Sequence, residues 1–261
     1  QAMTLVPPPQ NDNDRHRYIT DLFFGVADFP KFQEGLKAVL NAWKGVTGHF
    51  SGDNLITFHR NLSFLTDQPF MAAYRKHTST LPERAIIWRM YNAAWAARNA
   101  MRLEGDFVEC ACYRGTTARI ICDYVNFAAL PRRYFLYDLF KHDASMPHHS
   151  LPDHGEGLFG EVKARFADVP NATIVKGRVP DSFDQAVPEK IAFLHLDLNN
   201  AEAEIAVLDQ LFHRMTPGAV LLLDDYGWLA YRKQKLAEDA WFEARGYKVL
   251  ELPTGQGLVI K

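Results

Sequence analysis

The chain has 261 residues, with 29 Lys or Arg against 31 Asp or Glu, for a formal net charge of −2 at neutral pH. That length suffices for one large α/β domain, or a domain with an appendage, and for a substantial core. The balance of charge supplies no global basic field for nucleic acid, and no apolar run approaches the roughly 20 residues that span a bilayer.

The N-terminus lacks the basic-then-apolar pattern of a secretory signal, so a cytoplasmic location is expected. Gln1-Ala2 ahead of Met3 reads as a cloning remnant, and residues 1–16, with Pro7-Pro8-Pro9, read as a flexible tail. Across residues 17–104 the pattern is helical, with apolar residues at helix spacing in Phe32–Trp43 and Arg84–Met101 and an interruption over Gly45–Gly52. This segment is expected to be an all-helical cover over the binding edge of a sheet.

From Gly105 the period changes. Short β-rich runs at 106–112, 134–137, 172–176, 191–197 and 219–224 alternate with helical stretches, which predicts right-handed βαβ units in one mostly parallel sheet over residues 105–261. Tyr247–Leu252 and Gly257–Lys261 are separated by four residues, too few for a parallel crossover, so they are expected to form an antiparallel hairpin. The expected fold is therefore α/β: a Rossmann-like, seven-stranded, mostly parallel sheet with an antiparallel C-terminal hairpin, the sheet plan of class I methyltransferases. Cys110, Cys112 and Cys122 fall in the first strand and the helix after it, which is poor disulfide geometry. They read as reduced, mostly buried thiols.

Open α/β sheets bind ligands outside the carboxyl ends of their strands. The first strand runs into Glu109-Cys-Ala111-Cys-Tyr113-Arg114-Gly115-Thr116-Thr117, where a glycine lets the backbone approach a ligand and a helix N-terminus offers free N–H groups. The G-x-G-x-x-G pattern fails at Ala111, which favours a nucleoside without a pyrophosphate; an ordinary βα turn remains the alternative. Asp138 ends the second strand, where an acid can accept both ribose hydroxyls or cap a helix. Gly177-Arg178-Val-Pro-Asp181-Ser182 follows the third strand, with two readings: flanking an adenine, or capping the next helix.

Asp197, Asp224 and Asp225 end two further strands. Three such carboxylates repel one another unless a cation relieves them, and hard oxygen donors suit Mg²⁺ or Ca²⁺. Adjacent strand residues normally point oppositely, so the alternative is that one acid alone faces the site. Asp197 is a catalytic candidate, and so is a histidine of the loop carrying His142, His148, His149 and His154, with His149 chosen as the general base. His195 shares strand parity with Asp197 and reads as a buried imidazole. Tyr226 and Trp228 either line an acceptor pocket or pack.

Gly105-Asp-Phe-Val-Glu-Cys110, Arg114-Gly115, Asp138, His195-Leu-Asp197 and Leu223-Asp-Asp-Tyr-Gly227 resemble the TylF/MycF-type S-adenosylmethionine-dependent O-methyltransferases, which modify sugar hydroxyls of natural products. The resemblance covers most of residues 105–261. It implies Glu109, Gly115 and Asp138 in the cofactor site, and a magnesium ion held by Asp197, Asp224 and Asp225 beside the acceptor hydroxyl. The chain departs from that family at Ala111, Thr116 and Asn199-Asn200, which withholds the acceptor's identity. The expected function is methyl transfer from S-adenosylmethionine to a hydroxyl of a small molecule, with Mg²⁺ assistance, no nucleic-acid or membrane partner, and a homo-oligomer allowed. Competing readings are a metal-dependent phosphoesterase or hydrolase and a cofactor-binding module without turnover.

Overall fold

A computed structural model describes residues 17–20, 22–43, 48–142, 146 and 150–261. The expected tail at 1–16 and both His148 and His149 lie outside the described residues. The chain divides into two compact units, one ending at Trp88 and the other spanning Arg89–Lys261.

The first unit contains β1 (Arg17–Ile19), α1 (Phe29–Ala42), β2 (His49–Gly52), β3 (Leu55–Thr57), α2 (Gln68–His77) and α3 (Leu81–Ala85). The helices start where the sequence provides caps. Asp28 and Asp67 accept from the N–H groups of Lys31 and Phe70, and Thr80 with Glu83 forms a reciprocal capping box. The expectation of an all-helical segment is corrected: β1, β2 and β3 form a small sheet, with β2 parallel to β1 and antiparallel to β3. The cause is the two-residue turn Asp53-Asn54, whose φ angles of 53° and 57° lie in the left-handed region used by tight hairpins. Phe50 packs between Tyr18, Phe64 and Trp88, with ring centroids 5.8, 6.1 and 5.1 Å away.

Helix α4 (Ile87–Ala100) runs into the second unit, which continues with β4 (Asp106–Cys110), α5 (Thr116–Tyr124), β5 (Tyr134–Asp138), α6 (Leu158–Arg165) and β6 (Ala172–Lys176). After these come β7 (Ile191–Leu196), α7 (Ala201–Leu211), β8 (Met215–Leu223), α8 (Arg232–Glu243), β9 (Leu250–Glu251) and β10 (Gly257–Ile260). The sheet order is β6-β5-β4-β7-β8-β10-β9. The strands from β6 to β8 are parallel; β10 runs antiparallel to both of its neighbours. This is the Rossmann-like class I methyltransferase sheet, with the last strand inserted inside the sixth.

Strands β4 and β7 are mostly apolar and almost wholly buried, as in a parallel sheet covered on both faces, with Glu109 and His195 as the buried polar exceptions. Phe107 sits at the centre, with Phe127, Tyr134 and Phe193 rings 5.2, 5.7 and 5.5 Å away. Strand β8 begins four residues earlier than the apolar run suggests, because Thr216-Pro217-Gly218 passes through a register shift opposite β7. Successive connections leave β4 and β7 in opposite directions, so a crevice opens at the carboxyl ends of these two strands. Among the described residues no helix is long and apolar enough to cross a membrane.

Candidate active site

The β4–α5 loop turns through three left-handed residues, Ala111, Tyr113 and Gly115, with φ of 66°, 49° and 69°. Such geometry at non-glycine residues costs on the order of 1 kcal/mol or more each and persists where neighbours enforce it. Here β5 does so. The Ala111 and Cys112 N–H groups donate to the Tyr137 carbonyl at 2.8 and 3.2 Å, and the Tyr113 N–H donates to Asp138 Oδ2 at 2.7 Å. Asp138 Oδ1 accepts from the Phe140 N–H at 2.6 Å, so one carboxylate braces two loops. Burial raises the Asp138 carboxyl above its ordinary value, although both N–H bonds oppose the rise.

The crevice holds a pocket whose empty space of about 920 Å³ includes the open solvent at its mouth. Its lining comes from the ends of four strands: Ala111 and Tyr113 after β4, Asp138 on β5, Gly177 to Val179 after β6, and Asp197 to Asn200 after β7. Asn200 caps α7 by accepting from the Ala203 N–H at 2.9 Å, while the buried Oδ1 of Asn199 has no hydrogen-bond partner. His154 joins the lining, its ring set edge-on to Tyr113 at 5.1 Å.

Beyond Asp197 the acids gather. Carboxylate oxygens of Asp197, Asp224 and Asp225 lie within 4.8 Å of one another. Both members of the adjacent pair face inward because β8 ends at Leu223, so the alternation that holds along a strand no longer governs them. Arg89 at the start of the second unit answers their charge: its Nη1 donates to Asp224 Oδ2 at 2.9 Å and Asp225 Oδ1 at 3.1 Å. Asp224 Oδ1 accepts from Gln256 Nε2 at 2.9 Å.

His195 is buried with Nδ1 3.7 Å from Glu109 Oε1 and Nε2 3.5 Å from Asp224 Oδ1, an ion-paired arrangement at long range. Burial alone would lower its pKa; the two flanking carboxylates outweigh that and raise it well above the ordinary value. Burial pushes the Asp224 carboxyl up, but Arg89, His195 and Gln256 together hold it below the usual carboxylate range. Burial, then the charges of Asp224 and Asp225, raise the Asp197 carboxyl well above the ordinary value. The charges of His195 and Arg89 oppose the rise but do not prevail.

Residues 108–226 match a family model described as a methyltransferase domain. The sheet order of the core and this match agree on a methyltransferase-like α/β fold. Among solved structures, the O-methyltransferase NovP is 17% identical over 71% of this chain and 82% of its own, with a TM-score of 0.56. The calicheamicin methyltransferase CalS11 is 13% identical over 92% of this chain and 95% of its own, at 0.57. Its apo form, described as a TDP-rhamnose 3'-O-methyltransferase, is 15% identical over 92% and 96%, at 0.54. At these identities the likeness establishes the fold. Among curated proteins, none matches the chain in sequence.

Within this fold the sequence-predicted residues separate into two groups. Ala111, Tyr113, Asp138, Gly177, Arg178 and Asp197 meet at the pocket. Glu109 lies behind it, 3% exposed, accepting from the Tyr134 hydroxyl at 3.2 Å and facing His195. Gly115, Thr116 and Thr117 begin α5 away from the lining; a side chain at Gly115 would come within 2.7 Å of the Phe166 ring. The Arg114 guanidinium turns to Asp153 at 3.3 Å. Asp181 is exposed and Ser182 is buried without a partner, so the expected side-chain cap does not form; Gly177 is instead needed because Ser182 crowds it, 2.8 Å from where a Cβ would stand. His149 lies outside the described residues. Sequence reading missed Arg89, Asn92 and Gln256 altogether, and nothing in their local pattern marks them.

Proposed function

We propose that the chain is an O-methyltransferase that methylates a hydroxyl of a small molecule, a sugar moiety of a natural product or a related glycoside. One observation carries the reading. Asp197 both lines the pocket and belongs to the acid trio, so donor and acceptor subsites share a residue. The likeness to CalS11 supports a sugar acceptor.

The pocket fits the cofactor in chemistry, with apolar walls beside a few convergent polar groups. When bound, S-adenosylmethionine supplies a methyl group on a cationic sulfur. Asp138, fixed by two N–H groups, has lone pairs left for ribose hydroxyls, while Ala111 and Val179 offer apolar walls. Asp197 takes the proton of the acceptor hydroxyl, and its raised pKa makes it a stronger base than a free carboxylate. With the cofactor held by these residues, its methyl group would be the one passed to the acceptor oxygen, and Asp197 would hold the proton that the hydroxyl gives up.

The expected Mg²⁺ meets an obstacle. The trio has the hard oxygens such an ion takes, yet both Asp224 oxygens and Asp225 Oδ1 already accept from Arg89 or Gln256. As arranged, these residues fit a guanidinium, and no step is routed through a metal.

Calorimetry with S-adenosylhomocysteine tests the reading, paired with a labelled-methyl assay on hydroxylated glycosides. Micromolar binding and a methyl ether product are expected. Absence of binding at millimolar ligand would sink it.

A further inference from the structure

Arg89 is held in place from four sides. Its Nη1 bridges Asp224 and Asp225, its guanidinium carbon stands 5.0 Å over the Trp228 ring, and its backbone carbonyl accepts from Gln256 Nε2 at 3.3 Å. Gln256 is itself fixed: Asn92, one turn along α4 from Arg89, donates to Gln256 Oε1 at 2.9 Å and to Thr254 Oγ1 at 3.1 Å. The Arg89 side chain is only 11% exposed. A guanidinium so buried and so fully engaged is a built feature of the site, since holding a long charged side chain rigidly in one rotamer carries an entropic penalty that casual surface pairs do not repay.

The same atoms decide which cation the trio can take. A divalent ion needs oxygen lone pairs that point at it, at about 2.1 Å for Mg²⁺. Here N–H donors already take both Asp224 oxygens and Asp225 Oδ1, and the Arg89 guanidinium places a positive charge among the carboxylates. Metal entry would require Arg89 to leave, exposing a buried guanidinium to repulsion from the incoming ion.

We propose that Arg89 is the resident cation of the Asp197–Asp224–Asp225 cluster, closing it to divalent metals, so that this chain transfers methyl groups without one. Arg89 is a positioning residue: it neutralises Asp224 and Asp225 so that Asp197 remains the base facing the acceptor. The proposal rests on the methyl-transfer reading, and its test is arranged so that the two can fail separately.

The test is a Mn²⁺ titration followed by electron paramagnetic resonance on the full chain, wild type against Arg89→Met and Arg89→Lys, with S-adenosylhomocysteine binding measured on each. The wild type and Arg89→Lys are expected to leave Mn²⁺ free, while Arg89→Met binds it at least about tenfold more tightly, because removing the cation leaves the carboxylates uncompensated. Wild-type methyl transfer is expected to be unchanged by EDTA. Stoichiometric Mn²⁺ binding to the wild type at micromolar concentration, lost in Asp224→Asn, would overturn the proposal, as would an Arg89→Met chain that binds S-adenosylhomocysteine but no Mn²⁺. If Arg89→Met does not fold, the wild-type titration and the EDTA arm still decide it. Loss of S-adenosylhomocysteine binding by the wild type would strike the methyl-transfer reading instead.

Discussion

Asp138 performs two tasks with one carboxylate. Its oxygens accept from the N–H groups of Tyr113 and Phe140, two residues in left-handed conformation, and the same side chain lines the pocket. A hydrogen bond to a charged acceptor contributes about 1.5–3 kcal/mol, so losing the carboxylate should weaken ligand binding by roughly 10- to 100-fold. Asp138→Ala is therefore expected to bind S-adenosylhomocysteine that much less tightly and to lower the denaturant midpoint as both loops lose their brace. Calorimetry beside a urea titration checks both; wild-type affinity in the variant would remove Asp138 from the ligand's contacts. Gly115 was expected to let the backbone approach a ligand, and packing gives its glycine a second reason. That reason is a φ of 69° and the Phe166 ring, away from the pocket lining.

Among the elements, the acid-tipped strands β7 and β8 were legible because a buried parallel strand is a continuous apolar run, and the acid that ends it stands out against that run. The C-terminal hairpin was legible from a connection too short to cross over. Strands β1, β2 and β3 were not: three or four residues carry no period, and the only local sign is Asp53-Asn54 between β2 and β3. Arg89 was legible as part of a helix but not as a partner of Asp224, which lies 135 positions away. Helices α7 and α8 carry a further feature of this kind. Glu204 and Glu238 are both fully buried, each with an oxygen that has no partner. Burial raises Glu204 to about 8, with Asp225 and Asp224 adding and His195 opposing; it raises Glu238 to about 9, with Glu204 and Asp239 adding and Lys235 opposing. Between their unfolded value of 4.5 and those values the folded chain binds more protons than the unfolded one, so stability falls as pH rises through that window. Raised His195 acts in the same direction, whereas depressed Asp224 contributes stability that is lost only in strong acid. Glu204→Gln and Glu238→Gln should each flatten the decline, gaining on the order of a few kcal/mol over wild type at pH 9 and little at pH 5. Denaturation midpoints across pH 5 to 9 measure it, and parallel wild-type and variant curves would refute it.

At the scale of the molecule, the pocket belongs to no single stretch of chain. Its lining is drawn from the loops that follow β4, β5, β6 and β7, near residues 111, 138, 177 and 197, which are separated by 27, 39 and 20 positions. The sheet order brings these loops to one edge because β5 and β6 lie to one side of β4 and β7 lies to the other. A ligand in that crevice must therefore restrain all four loops together, since each contributes wall and none encloses the space alone. Hydrogen exchange reports this directly: backbone opening in such loops is local and of low free energy, and a bound ligand suppresses it. Saturating S-adenosylhomocysteine is expected to slow exchange in peptides covering 111–115, 138–142, 177–180 and 197–200 in concert, with one common concentration dependence. Protection confined to one of these loops, or appearing at different ligand concentrations in different loops, would mean that the crevice is not a single site. In that case the shared position of Asp197 between pocket and acid cluster would lose its meaning. Concerted protection would instead place the donor against the residue that faces the acceptor, which is the arrangement that in-line methyl transfer requires.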